Sequence, residues 1–330
     1  MENNDDIIDN KFIILRTIGD GSSSEFYRVR RLNENNKYVA KVWKNHPNNF
    51  PQELQMTTLA SGLNNPNIIH LEGHGTGTIN IEGTITNNAN YMILEDCPKG
   101  DLWQYVTIER FTEKLAKYIF KKILLGVQAL HEANICHRKL NLETILLDNN
   151  YNPKIRKFLF VTPFQQNNQP IMLNDFFNTR YASPNILRHE PYNGEKADIF
   201  SLGIILFSLV SGGMGFEQAK NRDPFYRLIM EGYINQYWTL LYSGIGNMNF
   251  SDEFKNLYIS MVAPDENNRP HIAQVLVHPW FNEINNLDNQ QLHQLEVDVR
   301  DAFTEREKAI INEKKKTIII DNEDDDLSSK

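Results

Sequence analysis

Three lysines lie in short segments where their ammonium groups could do chemistry. Lys41 lies in "YVAKVW", Lys139 in "HRKL" and Lys157 in "RKFLF". No aspartate or glutamate occurs between Glu132 and Glu143, and none occurs between Asp148 and Asp175. A protonated lysine cannot act as a general base, and it cannot supply the oxygen ligands that magnesium requires. The chemistry open to these segments is therefore the binding of an anion, the alternative being lysines that repel one another and point into water.

A glycine-containing turn precedes the first of these lysines. The stretch "IGDGSSSEF" follows a strand pattern, and Gly19 and Gly21 would let the backbone approach a phosphate group. The third position of a G-x-G-x-x-G pattern is occupied by Ser24. A plain glycine turn between two strands explains the same residues equally well.

The bulk composition excludes several classes of protein. The chain has 330 residues, a net charge of −8 and two cysteines. An acidic surface argues against nucleic acid as the main partner, and two cysteines provide no disulfide framework. The start "MENNDDIIDN" lacks a signal-peptide pattern, and the apolar run 318–320 is too short to span a bilayer. These features predict an intracellular, cytoplasmic protein without membrane insertion.

The pattern of the sequence changes along the chain and predicts five segments. Strand patterns dominate the first 95 residues and include a predicted hairpin with a long loop in "GTGTINIEGTITNNAN". Helical periodicity dominates from about Asp101 onward. We predict a flexible tail over 1–10, a β-rich unit over 11–95 with one helix near Pro51, a helical unit over 96–281, a helical segment over 282–313 and a disordered tail over 314–330.

The helical segment after residue 281 carries an apolar face. Leu292, Leu295, Val299 and Phe303 fall on that face, which is expected to pack back on the helical unit. Binding to a partner helix and self-association are the alternatives. The stretch 304–307, "TERE", fits a capping box and predicts the start of a new helix inside the segment.

An ordered set of short motifs resembles the eukaryotic protein kinase family over roughly residues 11–281. Besides the glycine turn and Lys41, the set comprises "HRKLNLETILLD", "KFL", "YASPN", "ADIFSLG" and "DENNRP", and its ending "LVHPWF" is similar to calcium/calmodulin-dependent Ser/Thr kinases. The resemblance implies an α+β, two-lobed fold, with a small β-rich lobe, a larger helical lobe and a nucleotide cleft between them. The positions that the resemblance implies for nucleotide binding are Gly19, Gly21, Ser24, Phe26, Lys41, Glu95 and Cys97.

The residues that would carry out phosphoryl transfer depart from the pattern of that family. The resemblance places Lys139 at the catalytic aspartate and Lys157 at the metal-binding aspartate. Asn141 stands at the usual lysine, and Thr144 stands at the asparagine that binds a second magnesium ion. The degenerate loop resembles that of a pseudokinase, so no catalytic residue and no metal site is expected to be competent.

The residues that match the family in packing positions are retained. They are His137, Arg138, Phe158, Asp198 and Arg269. The family also pairs the strand lysine with a glutamate on the helix of the small lobe. Counting from "NPNII" puts Met56 at that position, whereas a three-residue insertion near "ASGLNN" puts Glu53 there. Both alternatives stay open from the sequence.

Two functions from different classes follow from these observations. The first is an inactive binding, scaffolding or regulatory protein that contacts other proteins, for example another kinase or a kinase substrate. The second is an active Ser/Thr kinase with unorthodox residues. The resemblance also implies that Lys41, Lys139 and Lys157 converge in the cleft, where they could hold ATP or another anion without magnesium. The oligomeric state is not predicted.

Overall fold

The computed structural model describes residues 6–21, 23–43, 49–163, 165–166, 169–170, 180–245 and 248–328. The small lobe is a closed barrel with the strand order β1-β2-β3-β4-β6-β5. Its helix α1, Phe50–Ser61, begins with a proline in its first turn, as the pattern near Pro51 predicts. The strands are β1 Ile7–Ile8, β2 Phe12–Asp20, β3 Ser24–Arg31, β4 Lys37–Trp43, β5 Leu71–Ile81 and β6 Thr84–Glu95.

The short strand β1 closes this barrel. Ile7 pairs with Ile13 of β2 on one side and with Asn80 of β5 on the other. Ile8 is fully buried in the barrel core. The prediction of a flexible tail over 1–10 is therefore wrong for the described residues 6–10, because two consecutive isoleucines are enough to pair with both neighbouring strands.

Strands β5 and β6 form the predicted hairpin, but the connection is short. Ile81 pairs with Thr84, so that only two residues make the turn. Those residues, Glu82 and Gly83, have φ angles of 49° and 81°. Positive φ at both positions matches the right-handed twist of the strands. The predicted long loop is wrong, since the polar residues after the turn belong to β6.

The large lobe is built around helix α5, Gly194–Ser211, all of whose residues except Glu195 are buried. The motif "ADIFSLG" lies in this buried helix, and among the described residues no helix is long and apolar enough to cross a membrane. The other helices are α2 Leu102–Ile108, α3 Glu113–Glu132, α4 Pro184–Leu187, α6 Pro224–Met230, α7 Ile234–Ile245, α8 Asp252–Met261, α9 Ile272–Leu276, α10 Asn282–Asn285 and α11 Asn289–Ser328. Short strands accompany them: β7 Ile135–Cys136, β8 Ile145–Leu147, β9 Pro153–Ile155, β10 Thr162–Pro163, β11 Gln165–Gln166 and β12 Gln169–Pro170.

The C-terminal helix α11 packs back on the large lobe. Leu295, Val299 and Phe303 of the predicted face are buried, while Leu292 at its start is 38% exposed. The ring of Phe303 lies 5.1 Å from that of Tyr105, between centroids, and joins an aromatic cluster. The expected packing is thus the one observed.

The predicted start of a new helix at Thr304 is wrong, whereas the disordered tail over 314–330 stays a prediction. Helix α11 runs without interruption to Ser328, and residues 329–330 lie outside the described part of the chain. The hydroxyl of Thr304 donates to the backbone carbonyl of Arg300 at 2.8 Å, so it does not cap a new helix. Arg306 and Glu307, beyond the predicted break, anchor the helix through the carbonyls of residues 109 and 110 and the ammonium of Lys99.

Candidate functional site

A cavity of about 320 Å³ lies between the two lobes. The small lobe lines it with strand and helix residues, and the large lobe lines it with the segments around Lys139 and Lys157. All three lysines singled out from the sequence therefore reach one space. The described lining residues are Gly21, Ser23, Ser24, Phe26, Lys41, Asn49, Glu53, Thr57, Ile69, Met92, Leu94, Lys139, Arg156, Lys157, Phe158, Leu159 and Phe160.

Lys41 forms an ion pair with Glu53 at the back of the cavity. The ammonium nitrogen lies 2.5 Å from Oε1, and the two side chains are only 13% and 8% exposed. The ammonium also lies 4.5 Å from the ring centroid of Trp43. Burial lowers the pKa of Lys41, and the carboxylate of Glu53 opposes that shift. Of the two open alternatives, Glu53 is the one that contacts the lysine, while Met56 packs partly buried against the core.

Lys139 and Lys157 approach the same cavity from the large lobe in different ways. The ammonium of Lys139 lies 4.3 Å from the ring centroid of Phe160. Lys157 has a left-handed backbone, with φ 70° and ψ 62°, and it directly precedes the 3₁₀ turn Phe158–Phe160. Within the described residues, Lys157 makes no hydrogen bond and no ion pair, although its side chain is half-buried. Burial lowers its pKa, and the positive charges of Arg156 and Lys139 lower it further.

Arg156 adds a fourth cation that the sequence reasoning did not single out. Its guanidinium donates two hydrogen bonds, of 3.3 and 3.2 Å, to the backbone carbonyl of Glu143. A carbonyl accepts these bonds without neutralising the charge. Four cationic side chains and a single carboxylate, that of Glu53, thus line the described part of the cavity. The cluster "RK" at 156–157 was the signal in the sequence that could have identified it.

Asn141 and Thr144 turn inward, away from the cavity. Thr144 Oγ1 accepts from the backbone N–H of Asn141 at 3.0 Å, and Asn141 Oδ1 accepts from the N–H of Thr144 at 3.0 Å. The two residues are 4% and 0% exposed. Their side chains cap the 3₁₀ turn Leu142–Thr144 reciprocally, so they serve the loop rather than a ligand.

The glycine turn lies over the other end of the cavity. The N–H of Gly21 donates to the carbonyl of Ser24 at 2.9 Å, and a Cβ on Gly21 would lie 3.1 Å from that oxygen. Position 21 therefore favours glycine for reasons of space. Gly21, Ser24 and Phe26 line the cavity, whereas Gly19 is not among its described lining residues.

The residues predicted at the junction between the lobes do not share this cavity. Glu95 and Asp96 line a second, polar cavity of about 530 Å³. The carboxylate of Glu95 pairs with Lys154 at 2.8 Å, and Asp96 pairs with Arg28 at 3.0 Å. Cys97 is buried, which raises the pKa of its thiol to about 12.

The retained packing residues hold the loop that carries Lys139. Asp198 accepts hydrogen bonds from the backbone N–H groups of His137 and Arg138, at 2.7 and 2.8 Å. The ring of His137 packs edge-on against Phe158 at 5.6 Å and donates to the carbonyl of Arg156 at 2.9 Å. Because the acceptor network is anchored on a fully buried carboxylate, the loop has a fixed path.

A comparison with known families agrees with this architecture. A family model described as "Protein kinase domain" matches residues 12–281, which is most of the chain. The chain belongs to the protein kinase family. The α+β, two-lobed fold predicted from the motifs is confirmed by this match.

Curated relatives of this kinase-family chain are protein kinases by name, and two of the following three are named serine/threonine-protein kinases. It is 26% identical over 290 residues to CBL-interacting protein kinase 5 of Oryza sativa subsp. japonica, covering 85% of this chain and 58% of the relative. It is 27% identical over 284 residues to CBL-interacting serine/threonine-protein kinase 13 of Arabidopsis thaliana, covering 83% and 52%. It is 29% identical over 273 residues to serine/threonine-protein kinase ppk16 of Schizosaccharomyces pombe, covering 81% and 36%. The chain thus spans about half the length of the first two relatives and about a third of the last.

Arg269, which the kinase resemblance pairs with a glutamate, has a different environment here. The resemblance puts Asn185 at that glutamate. The guanidinium of Arg269 instead donates to the backbone carbonyls of Ala263, Lys196 and Pro264, at 2.8, 3.1 and 3.2 Å. Burial lowers the pKa of Arg269 to about 10. The lost carboxylate has been replaced by three carbonyl oxygens.

The described residues of the kinase cleft do not fit a magnesium ion. Within the described residues, no group of three His, Cys, Asp or Glu side chains is placed to hold a metal ion. The positions that the family uses for metal ligands carry the ammonium of Lys157 and the inward-facing hydroxyl of Thr144. Magnesium prefers hard oxygen ligands, and a nearby ammonium repels it.

Proposed function

We propose that this kinase-family chain is a pseudokinase, which binds partners without transferring phosphate. The observation that carries the proposal is the presence of the Lys139 and Lys157 ammonium groups in the cavity where the family holds its base and its metal ligand. A base must accept a proton, and a metal ligand must donate an electron pair. A protonated lysine does neither.

The retained parts of the fold support a binding role. Asp198 holds the loop around His137, and Lys41 pairs with Glu53, so these parts of the cleft keep a defined structure. Binding and scaffolding need a defined surface, which such a fold supplies. We extend this proposal to protein partners and to an intracellular location, which rest on the sequence alone.

A second candidate function is that of an active Ser/Thr kinase. The observation that favours it is the Lys41–Glu53 ion pair, since the active members of the family require this pair for phosphoryl transfer. The names of the Ser/Thr kinase relatives also favour it. Against it, one substitute would be needed for the base and another for the metal ligands.

A phosphotransfer assay separates the two functions. The purified chain is incubated with γ-labelled ATP, with magnesium or manganese, and incorporation into itself and into a mixed protein substrate is measured. Lys41→Ala, with folding verified by its melting curve, is the matched control, and an active Ser/Thr kinase provides the positive control. We expect no incorporation above that of the control variant. Incorporation by the wild type that Lys41→Ala abolishes makes the second candidate correct.

A further inference from the structure

The segment 95–99 joins the two lobes and carries three charged side chains, each of which pairs with a different element. These three ion pairs, which we call the interlobe lock, are Glu95–Lys154, Asp96–Arg28 and Lys99–Glu307, at 2.8, 3.0 and 2.9 Å. We propose that the interlobe lock holds the two lobes in one orientation, and that the C-terminal helix α11 is a working part of it. This inference goes beyond the proposed function, because it holds whether or not the chain transfers phosphate.

The carboxylate of Glu95 connects the end of β6 to two other elements. Its Oε1 accepts the backbone N–H of His70, just before β5, at 2.7 Å, and its Oε2 pairs with the ammonium of Lys154 in β9. The side chains of Glu95 and Lys154 are only 21% and 13% exposed. Salt screens a partly buried pair of this kind less than an exposed one. One end of the connecting segment is therefore held both to the small lobe and to a strand of the large lobe.

Strand β9 also forms backbone bonds to the small lobe, away from the connecting segment. The N–H of Ile155 donates to the carbonyl of Asn67 at 2.8 Å, and its carbonyl accepts the N–H of Ile69 at 3.0 Å. The side-chain amide of Asn67 donates to the carbonyl of Pro153 at 3.0 Å. Lobes joined by one segment alone are expected to move relative to each other, and a second attachment restricts that motion. Rotation about the connecting segment would have to break these bonds together with the carboxylate–ammonium pair on the same strand.

The second pair of the lock joins the connecting segment to the middle of the small-lobe sheet. Arg28 is paired in register with Arg16 of β2 on one side and with Val39 of β4 on the other, so its backbone is fixed by two strands. Its guanidinium donates to the carboxylate of Asp96 at 3.0 Å, and both side chains are mostly buried. The connecting segment is thus attached through two consecutive residues, and little length of chain remains free to bend.

The third pair brings the C-terminal helix into the lock. The carboxylate of Glu307 accepts the ammonium of Lys99 and, at 2.7 Å, the hydroxyl of Tyr151. Burial acts to raise the pKa of Glu307, but these two hydrogen bonds bring the pKa below its ordinary value, so the carboxylate is charged at neutral pH. Phe303, one turn earlier on α11, is fully buried and stacks on the ring of Tyr151, with 5.2 Å between centroids. Because core packing positions the helix, any shift of α11 carries its carboxylate away from Lys99.

Other charges near the connecting segment are either engaged locally or exposed. Asp148 accepts the backbone N–H groups of Asn150 and Asn152, at 2.8 and 2.9 Å. Lys37 and Glu72 line the cavity of about 530 Å³ and are exposed. The lock consists of three pairs of opposite charge and carries no net charge of its own. It therefore supplies a fixed geometry rather than a site for an ion.

The experiment measures the distance between the lobes in the full chain by pulsed electron paramagnetic resonance. Spin labels are attached to Gln55→Cys on α1 and to Val277→Cys after α9, both at exposed positions. The native Cys97 and Cys136 are buried, and the chain without introduced cysteines measures any labelling of them. We expect one narrow distance distribution when the lock is intact. A broad distribution, or two separate distances, overturns the inference.

Two substitutions and two matched controls make the test specific. Lys154→Met and Glu307→Gln each remove one charge from the lock. Both are expected to widen the distance distribution about twofold or more, because a restraint on the relative motion of the lobes is lost. Lys114→Met on α3 and Glu305→Gln on α11 change the same residue types at exposed positions outside the lock. These controls are expected to leave the distribution unchanged.

Melting curves of the four variants distinguish a folded chain with looser lobes from an unfolded one. Equal distributions for the lock variants and their controls overturn the inference. Widening by Lys154→Met alone keeps the role of β9 and overturns that of α11. If Lys154→Met does not fold, Glu307→Gln alone decides. Phosphotransfer by the wild type would remove the proposed function and leave this inference standing, since the lock involves neither the chemistry of the cleft nor a ligand.

Discussion

The kinase family pairs the position of Arg269 with a glutamate and has an aspartate at the position of Lys157. In this protein both carboxylates are missing from those positions. Arg269, in the large lobe, is 1% exposed and is satisfied by three backbone carbonyls and by the face of Phe200, 5.0 Å away. Lys157, in the cleft, has no such replacement among the described residues. In the buried core of the large lobe, backbone carbonyls take the place of the lost carboxylate beside Arg269. In the cleft, where a ligand can reach Lys157, its charge has no such partner among the described residues.

The largest expected effect on stability is at Arg269, whose missing carboxylate partner is replaced by backbone carbonyls. Arg269→Ala should lower the free energy of unfolding by about 4 kcal/mol, because it removes three hydrogen bonds to buried or part-buried carbonyls and opens a cavity at a residue that is 1% exposed. Chemical denaturation measures this change. The control Arg16→Ala removes an exposed arginine on β2 and should change stability by less than about 0.5 kcal/mol. Equal effects of the two substitutions would mean that the hydrogen bonds from Arg269 to the three carbonyls contribute nothing to stability.

A smaller effect on stability is expected at Lys41, which has a carboxylate partner, Glu53. Glu53→Gln should cost about 2 kcal/mol, since it leaves the Lys41 ammonium buried without a counter-charge. The double variant Lys41→Met, Glu53→Gln should cost less than the sum of the two single variants. A double-mutant cycle by denaturation measures the coupling. If the stability changes of the two single variants add up to that of the double variant, the ion pair in the cleft does not contribute to the free energy of unfolding.

Substitution of Lys157 should have the opposite effect on stability. Lys157→Met is expected to raise the free energy of unfolding by about 1 kcal/mol, because a half-buried charge without a partner is replaced by an apolar side chain of similar length. Thermal and chemical denaturation without added anions provide the measurement. Lys114→Met, at an exposed position, is the control. A loss of stability on Lys157→Met would indicate that the ammonium already has a stabilising partner.

The smallest effect is the pH dependence of that gain. An unfolded lysine has a pKa of about 10.4, and burial with neighbouring cations lowers the pKa of Lys157 in the folded protein. Between the two values the unfolded state holds more protons, so the stability of the wild type rises with pH relative to Lys157→Met. The advantage of the variant should therefore be full at neutral pH and shrink as the solution becomes alkaline. A constant difference up to the highest pH at which both proteins fold reversibly would contradict the lowered pKa.

The sequence was sufficient for the fold and for the convergence of the lysines. Ordered motifs fix the topology of this family, and Lys139 and Lys157 follow directly from their neighbours in those motifs. The choice between Glu53 and Met56 could not be made, because it depended on the exact end of helix α1, at Ser61. That end is set by tertiary packing rather than by a local signal.

Other features of the site required the structure for different reasons. The resemblance places Asn141 at the family's lysine and Thr144 at its magnesium-binding asparagine. An Asn-x-x-Thr pattern also forms a reciprocal helix cap, and that cap is what the structure shows. The predicted helix start at Thr304 failed, since Phe303 and Arg306 pack on the lobe from both sides of the supposed break. In both cases a local sequence pattern was compatible with two structures, and only the tertiary contacts determined which one formed.

The closed barrel of the small lobe has a mechanical consequence. With Ile7 paired to both β2 and β5, the sheet has no free edge along which it could splay apart. The small lobe should therefore move as one stiff shell. Any widening of the cleft to admit a ligand then has to come from residues 95–97, which join the two lobes, and from the glycine turn. The ion pair between Arg28 of β3 and Asp96 attaches that connecting segment to the small lobe.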